Sequence, residues 1–124
     1  MIKIGYVALG GAIGSVFRYL SGRAILRILP DAFPFGTLLI NVLGAFLIGI
    51  ISQYGLKISV ADSGWYLMTT VGVLGGFTTF STFSLESVNL LETGRMTAAF
   101  LYILASVCLC LAGAMLGKTI IRLI

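Results

Sequence analysis

The run GGFTTFSTFS, residues 75–84, interleaves five hydroxyl side chains with three phenylalanines in a chain that is 59% hydrophobic and 10% charged. Hydroxyls donate hydrogen bonds, and a phenyl ring presents a positive edge through its quadrupole. Donors combined with ring edges suit a small anion that accepts hydrogen bonds strongly. They help a large, diffuse anion or an organic cation less. At helical spacing Thr79, Thr82, Glu86 and Asn89 form one stripe, and Phe80 and Phe83 lie on the adjoining face with Ser84 and Ser87 close by. Upstream, Thr37, Asn41 and Gly44 share a face; downstream, Tyr102, Ser106 and Cys110 recur every four residues. These stripes read as the linings of narrow polar pathways. A plainer arrangement fits the same spacing, with the rings as packing and the hydroxyls bonded back to helix carbonyls.

Asn41 puts an amide in the middle of an apolar run, which is costly unless the amide is paired. It reads either as a bridge between helices or as a pathway donor. Arg18 and Glu86 are the ionisable residues deepest within apolar segments. Such residues are functional candidates, and equally a buried charge pair joining two helices near one mouth of a pathway. With no histidine and only four carboxylates, acid–base catalysis and metal-assisted hydrolysis lack raw material. The net charge of +4 is spread along the chain, so no nucleic-acid-binding face is expected. Cys108 and Cys110 sit two apart in a helical pattern and point to nearly opposite sides, which rules out a bond between them.

The elements that must position these residues follow from hydropathy. So little charge cannot cover a soluble domain of 124 residues, and an all-α integral membrane protein is expected. Residues 4–28 make a first span ending at Pro30 and Pro34, residues 36–56 a second, and residues 97–121 a fourth. The N-terminal run carries only Lys3 ahead of it and no small-residue cleavage site, so it reads as a span and not as a removable signal. The third segment, 64–93, would be ~45 Å long as one helix, too long for a bilayer without heavy tilt. Its glycines at 72, 75 and 76, followed by the hydroxyl run, predict a break near 75–79. Irregular backbone at membrane depth is tolerated only where protein or a wet cavity surrounds it. Lys3, Lys57, Lys118 and Arg122 on one side face Arg23, Arg27 and Arg95 on the other, so there is almost no orientational bias. Two inverted copies could therefore pair about an axis in the membrane plane. Glycines four apart, Gly10 with Gly14, Gly72 with Gly76 and Gly113 with Gly117, suit close helix contact.

The segments GGAIGSVFRY, FGTLLINVLGAFLIG and GGFTTFSTFSLE, within a four-span plan, resemble the small bacterial fluoride channels of the Fluc or CrcB family. The resemblance implies one transmembrane domain over residues 1–124 and an antiparallel, dual-topology homodimer with two pores. It implies passive export of fluoride across the bacterial cytoplasmic (inner) membrane, which protects against fluoride toxicity. By that resemblance Phe80 and Phe83 would supply ring edges and Asn41 a donor. Ser81, Thr82, Thr37, Tyr102 and Ser106 would be donors along a polar track, where Cys110 replaces an expected hydroxyl. Carbonyls of Gly75 and Thr78 would hold a structural Na+ on the dimer axis. Two rivals stand beside this reading. A proton-coupled exporter of organic cations needs an embedded carboxylate early in the chain, which the first span lacks. A non-transporting assembly partner would have no use for a broken helix.

Overall fold

The computed structural model describes residues 1–124 and contains helices and turns with no strand. Helix α1 spans Ile2–Leu26 and α2 spans Phe35–Lys57. The third segment begins with α3, Gly64–Leu67, continues as a π-helical stretch, Met68–Leu74, and closes with a single α-turn, α4, Gly75–Phe77. Helix α5, Phe80–Glu92, follows after two non-helical residues, and α6 spans Met96–Leu123. Of these, α2 and α6 are long and apolar enough to cross a membrane. Helix α1 matches them in length but carries Lys3, Arg18 and Arg23.

Local chemistry sets the boundaries. Pro30 and Pro34 disfavour the helical conformation in the residues before them, and α2 starts directly after Pro34. Helix α5 stops at a left-handed Gly94, φ +73°, where Gly94 N–H donates to the Leu91 carbonyl and Arg95 N–H to the Leu90 carbonyl. That pair of bonds satisfies two carbonyls at the helix end and turns the chain at once into α6.

Helix α2 lies along α6, while α1 crosses the π-helical stretch and α4. The second crossing is backbone against backbone: a Cβ added to Gly10 would lie 2.3 Å from the Met68 carbonyl oxygen, and one on Gly72 2.8 Å from the Gly10 Cα. The glycines expected to unwind the third segment therefore have another task. Gly75 and Gly76 remain helical and Gly72 sits in the π-helical stretch, against α1. Helical conformation lapses only at Thr78 (φ −82°, ψ 158°), whose N–H still bonds the Leu74 carbonyl, and at Thr79 (φ −151°, ψ 114°).

Only 19 of 124 residues are buried, while large apolar side chains such as Phe17, Phe100, Leu111 and Met115 face outward. So much apolar surface requires an apolar surrounding, as a lipid bilayer provides. The buried cluster is small: Leu38, Phe83, Leu90, Ala99 and Tyr102, where α2, α5 and α6 meet.

Candidate functional site

The centre of the molecule is organised by Asn41. Its position on α2 brings its amide alongside Thr79, where the helical ladder has lapsed. Thr79 N–H donates to Asn41 Oδ1 at 2.8 Å, and Asn41 Nδ2 donates to the Thr79 carbonyl at 3.0 Å. The two bonds fix which end of the amide is which, because the flipped amide would set N–H against N–H. In a continuous helix the Thr79 N–H would have bonded the Gly75 carbonyl. A missing side chain on α2 makes the approach feasible: a Cβ on Gly44 would lie 2.1 Å from Thr78 Cγ2.

Thr79 in turn starts α5. Its hydroxyl accepts from Thr82 N–H at 3.2 Å and donates to Thr82 Oγ1 at 3.0 Å, capping the helix. The exposed Ser81 hydroxyl lies 3.2 Å from the same oxygen. Phe80 and Phe83 come next on this helix, with ring centroids 5.3 Å apart and tilted by 47°. Phe83 is 9% exposed and packs on Tyr102, whereas Phe80 is 77% exposed and projects from the chain.

A cavity of about 440 Å³ lies against these rings, lined also by Asn41, Thr78, Ser106 and Cys110. Ser106 is 6% exposed and its Oγ is buried without a hydrogen-bond partner. Helical serines commonly bond a carbonyl one turn back, as Ser87 does to Phe83 at 2.7 Å. Ser106 does not, and its buried hydroxyl is left without a partner in the wall of the cavity. Cys110, one turn further along α6, is half-buried, while Cys108 is exposed on another face.

A wider opening of about 740 Å³ lies beyond Thr79, lined by Arg18, Thr37, Thr82, Glu86, Asn89 and Arg95 among others. Thr79 lines both spaces. Here the expected Arg18–Glu86 pair does not form. Glu86 Oε1 accepts from the Thr37 hydroxyl at 2.9 Å and Oε2 from the Tyr102 hydroxyl at 2.7 Å. Arg18 Nη1 instead donates to the Thr78 carbonyl at 3.3 Å. That carbonyl closes the first half of the third segment, where helix dipoles gather negative charge, so a cation is favoured there. The ion pair that does form is peripheral, Lys3 with Asp62 at 2.5 Å. Arg95 donates to the Ala32 carbonyl and ties the loop before α2 to the start of α6.

No cluster of three or more His, Cys, Asp or Glu side chains offers a charged metal site. Neutral oxygens remain. The Gly75 carbonyl has lost its helical donor to Asn41, and the Thr78 carbonyl retains a second lone pair beside Arg18. Such oxygens fit a hard cation, although two from one chain are fewer than a full shell requires.

The cavity thus joins Asn41, Phe80, Phe83 and Ser106, and the opening joins Thr37, Thr82, Arg18 and Glu86. Tyr102 is buried between them, and Ser81 lies outside both. Two contributions were not foreseen from sequence. Thr79 was placed on the polar stripe of α5, but its role as the cap of that helix was not drawn, although a hydroxyl just before an apolar helix start signals one. Phe33 meets Tyr102 edge-on at 5.6 Å, and nothing in its local sequence pointed to that contact.

Comparison with known proteins agrees with the resemblance noted above. The family described as "CrcB-like protein, Camphor Resistance (CrcB)" matches residues 5–118. A protein of Geobacter sulfurreducens named "Fluoride-specific ion channel FluC" is 48% identical over 117 residues, 94% of each chain. Proteins of the same name are 46% identical over 122 residues in Rhizobium etli, 98% of each chain, and 45% identical over 123 residues in Magnetococcus marinus, 99% of this chain and all of the relative. The match runs through every element of the site, and the chain belongs to the CrcB family.

Proposed function

We propose that this chain is a passive, fluoride-selective ion channel, not an enzyme, and that it lets fluoride leave the bacterial cytoplasm across the inner membrane. The observation that carries the reading is the unpartnered Ser106 hydroxyl, buried in a cavity with two phenyl rings and the Asn41 amide. The names of relatives nearly half identical along almost their whole length support the choice of anion. Fluoride is the halide that gains most from hydrogen bonds at short range. Fixed donors and ring edges replace its hydration better than that of a larger, more diffuse anion. On this reading Asn41, Phe80, Phe83 and Ser106 line the narrow part, with Thr37, Ser81, Thr82 and Tyr102 along its continuation.

The working unit in this proposal is a homodimer of inverted copies, each chain one transmembrane domain, with two pores. Phe80 supports it, since a ring that is 77% exposed on a single chain would gain its surroundings from a second copy. The Gly75 and Thr78 carbonyls of both copies would hold a structural Na+ at the shared axis. When bound there it would supply fixed positive charge against four carbonyl oxygens at the negative ends of two helices, one from each copy.

The test is efflux from liposomes loaded with fluoride or chloride, with an ionophore balancing charge and ion-selective electrodes following each anion. Fast fluoride efflux with little chloride efflux is expected. Absence of fluoride efflux from dimeric, sodium-replete protein would refute the proposal.

A further inference from the structure

We infer that Asn41 is a positioning residue for the pathway, holding Thr79 and the start of α5 in place through a two-point clamp while a single remaining N–H faces the cavity. The inference rests on the channel reading for its function, though not for its geometry. Both Asn41 heteroatoms are engaged by one residue's backbone, at 2.8 and 3.0 Å, the exchange of bonds by which one β-strand residue pairs with another. Nothing local can replace it. Thr79 N–H has left the helical ladder, and the Thr79 carbonyl starts α5 only as its cap.

The consequence passes along the chain in short steps. Thr79 is fixed by Asn41, its hydroxyl caps α5 through Thr82, and Phe80 and Phe83 lie on the first turn so fixed. A rotation of that turn would move both rings, and Phe83 is held on its far side by Tyr102. The amide itself is also oriented. With Oδ1 and one Nδ2 hydrogen occupied, the other hydrogen has one direction in the amide plane, and Asn41 lines the cavity. A freely rotating amide would present oxygen to an anion half of the time; the clamp forbids that. Asn41 therefore sets the sign of the local dipole as well as the place of the rings.

Amide hydrogen exchange by NMR on the full-length, isotope-labelled dimer in bicelles tests this without fluoride present. In the native protein the Thr79 N–H should exchange slowly although it has no helical partner. Fast exchange there overturns the clamp before any variant is made. In Asn41→Leu, which keeps side-chain bulk without hydrogen bonds, Thr79 exchange should rise about tenfold, the net worth of one such bond. The ring signals of Phe80 and Phe83 should shift, while amides in the middle of α6 stay protected. Unchanged exchange at Thr79, or unmoved ring signals, with fluoride efflux lost would make Asn41 a donor only and overturn the inference. Loss of protection throughout α6 would mean the variant had unfolded, and the native Thr79 rate then decides the matter. Failure of native fluoride efflux would sink the channel reading while leaving a protected Thr79 intact, so the two failures are distinguishable.

Discussion

Replacing Ser106 with alanine should make the protein more stable and the channel slower, a combination that no purely structural serine would give. The hydroxyl is buried in a residue only 6% exposed and bonds nothing within the chain. Leaving a polar group so placed costs about 1–3 kcal/mol, and alanine removes the cost with almost no loss of volume. Stabilisation of about 1 kcal/mol, the low end of that range, should follow. Flux moves the other way. A hydrogen bond to a charged partner is worth about 1.5–3 kcal/mol, which corresponds to about a 10- to 100-fold loss of fluoride efflux if the lost donor acts at the rate-limiting point. Thermal unfolding followed by loss of the dimer peak on size exclusion reads the first quantity, and efflux from liposomes reads the second. Alanine that destabilises the protein would show that Ser106 has a structural partner. Undiminished flux would remove it from the pathway.

Phe83→Ile should cost both stability, by about 1–2 kcal/mol from lost packing on Tyr102, and fluoride efflux. Phe80→Ile, at a ring that a single chain leaves 77% exposed, should reduce efflux with a smaller change in unfolding temperature; unchanged efflux in either variant would move that ring from coordination to packing. Gly72→Ala places a Cβ 2.8 Å from the Gly10 Cα, between backbones that cannot yield. About 1–3 kcal/mol of destabilisation is expected, and a native-like melting curve would mean that α1 can shift aside. Glu86→Ala leaves the hydroxyls of Thr37 and Tyr102 without their acceptor and should cost about 1–3 kcal/mol. Chemical denaturation in detergent measures it, with the Thr37→Val, Glu86→Ala double variant expected to be less than additive.

The helices were largely legible because their signals are local. Proline at 30 and 34 and glycine at 94 act within a few residues of the turns they shape, and apolar runs announce spans whatever packs on them. The stripes were legible for the same reason: Asn41, Phe83 and Ser106 fall on faces that helical geometry sets. Where the third segment loses its helical bonds was not legible to the residue. Glycines and hydroxyls together pointed to a stretch near residues 75–79, but Gly72 and Gly76 serve contact with α1 and stay helical. The lapse falls at Thr78 and Thr79 because an amide 38 residues earlier in sequence takes the N–H that the helix would have used.

Charge was the least reliable guide. Arg18 and Glu86 were the two ionisable groups deepest in apolar sequence, and opposite sign made them natural partners. The fold gives Glu86 two hydroxyls from α2 and α6 and gives Arg18 a carbonyl at a helix end. Sequence by itself determined that this chain is helical, apolar and rich in donors at helical spacing, since these are properties of composition and period. Only the tertiary structure decided which donors are spent on the protein and which, like Ser106, are left free, because a hydrogen bond depends on where two distant groups meet.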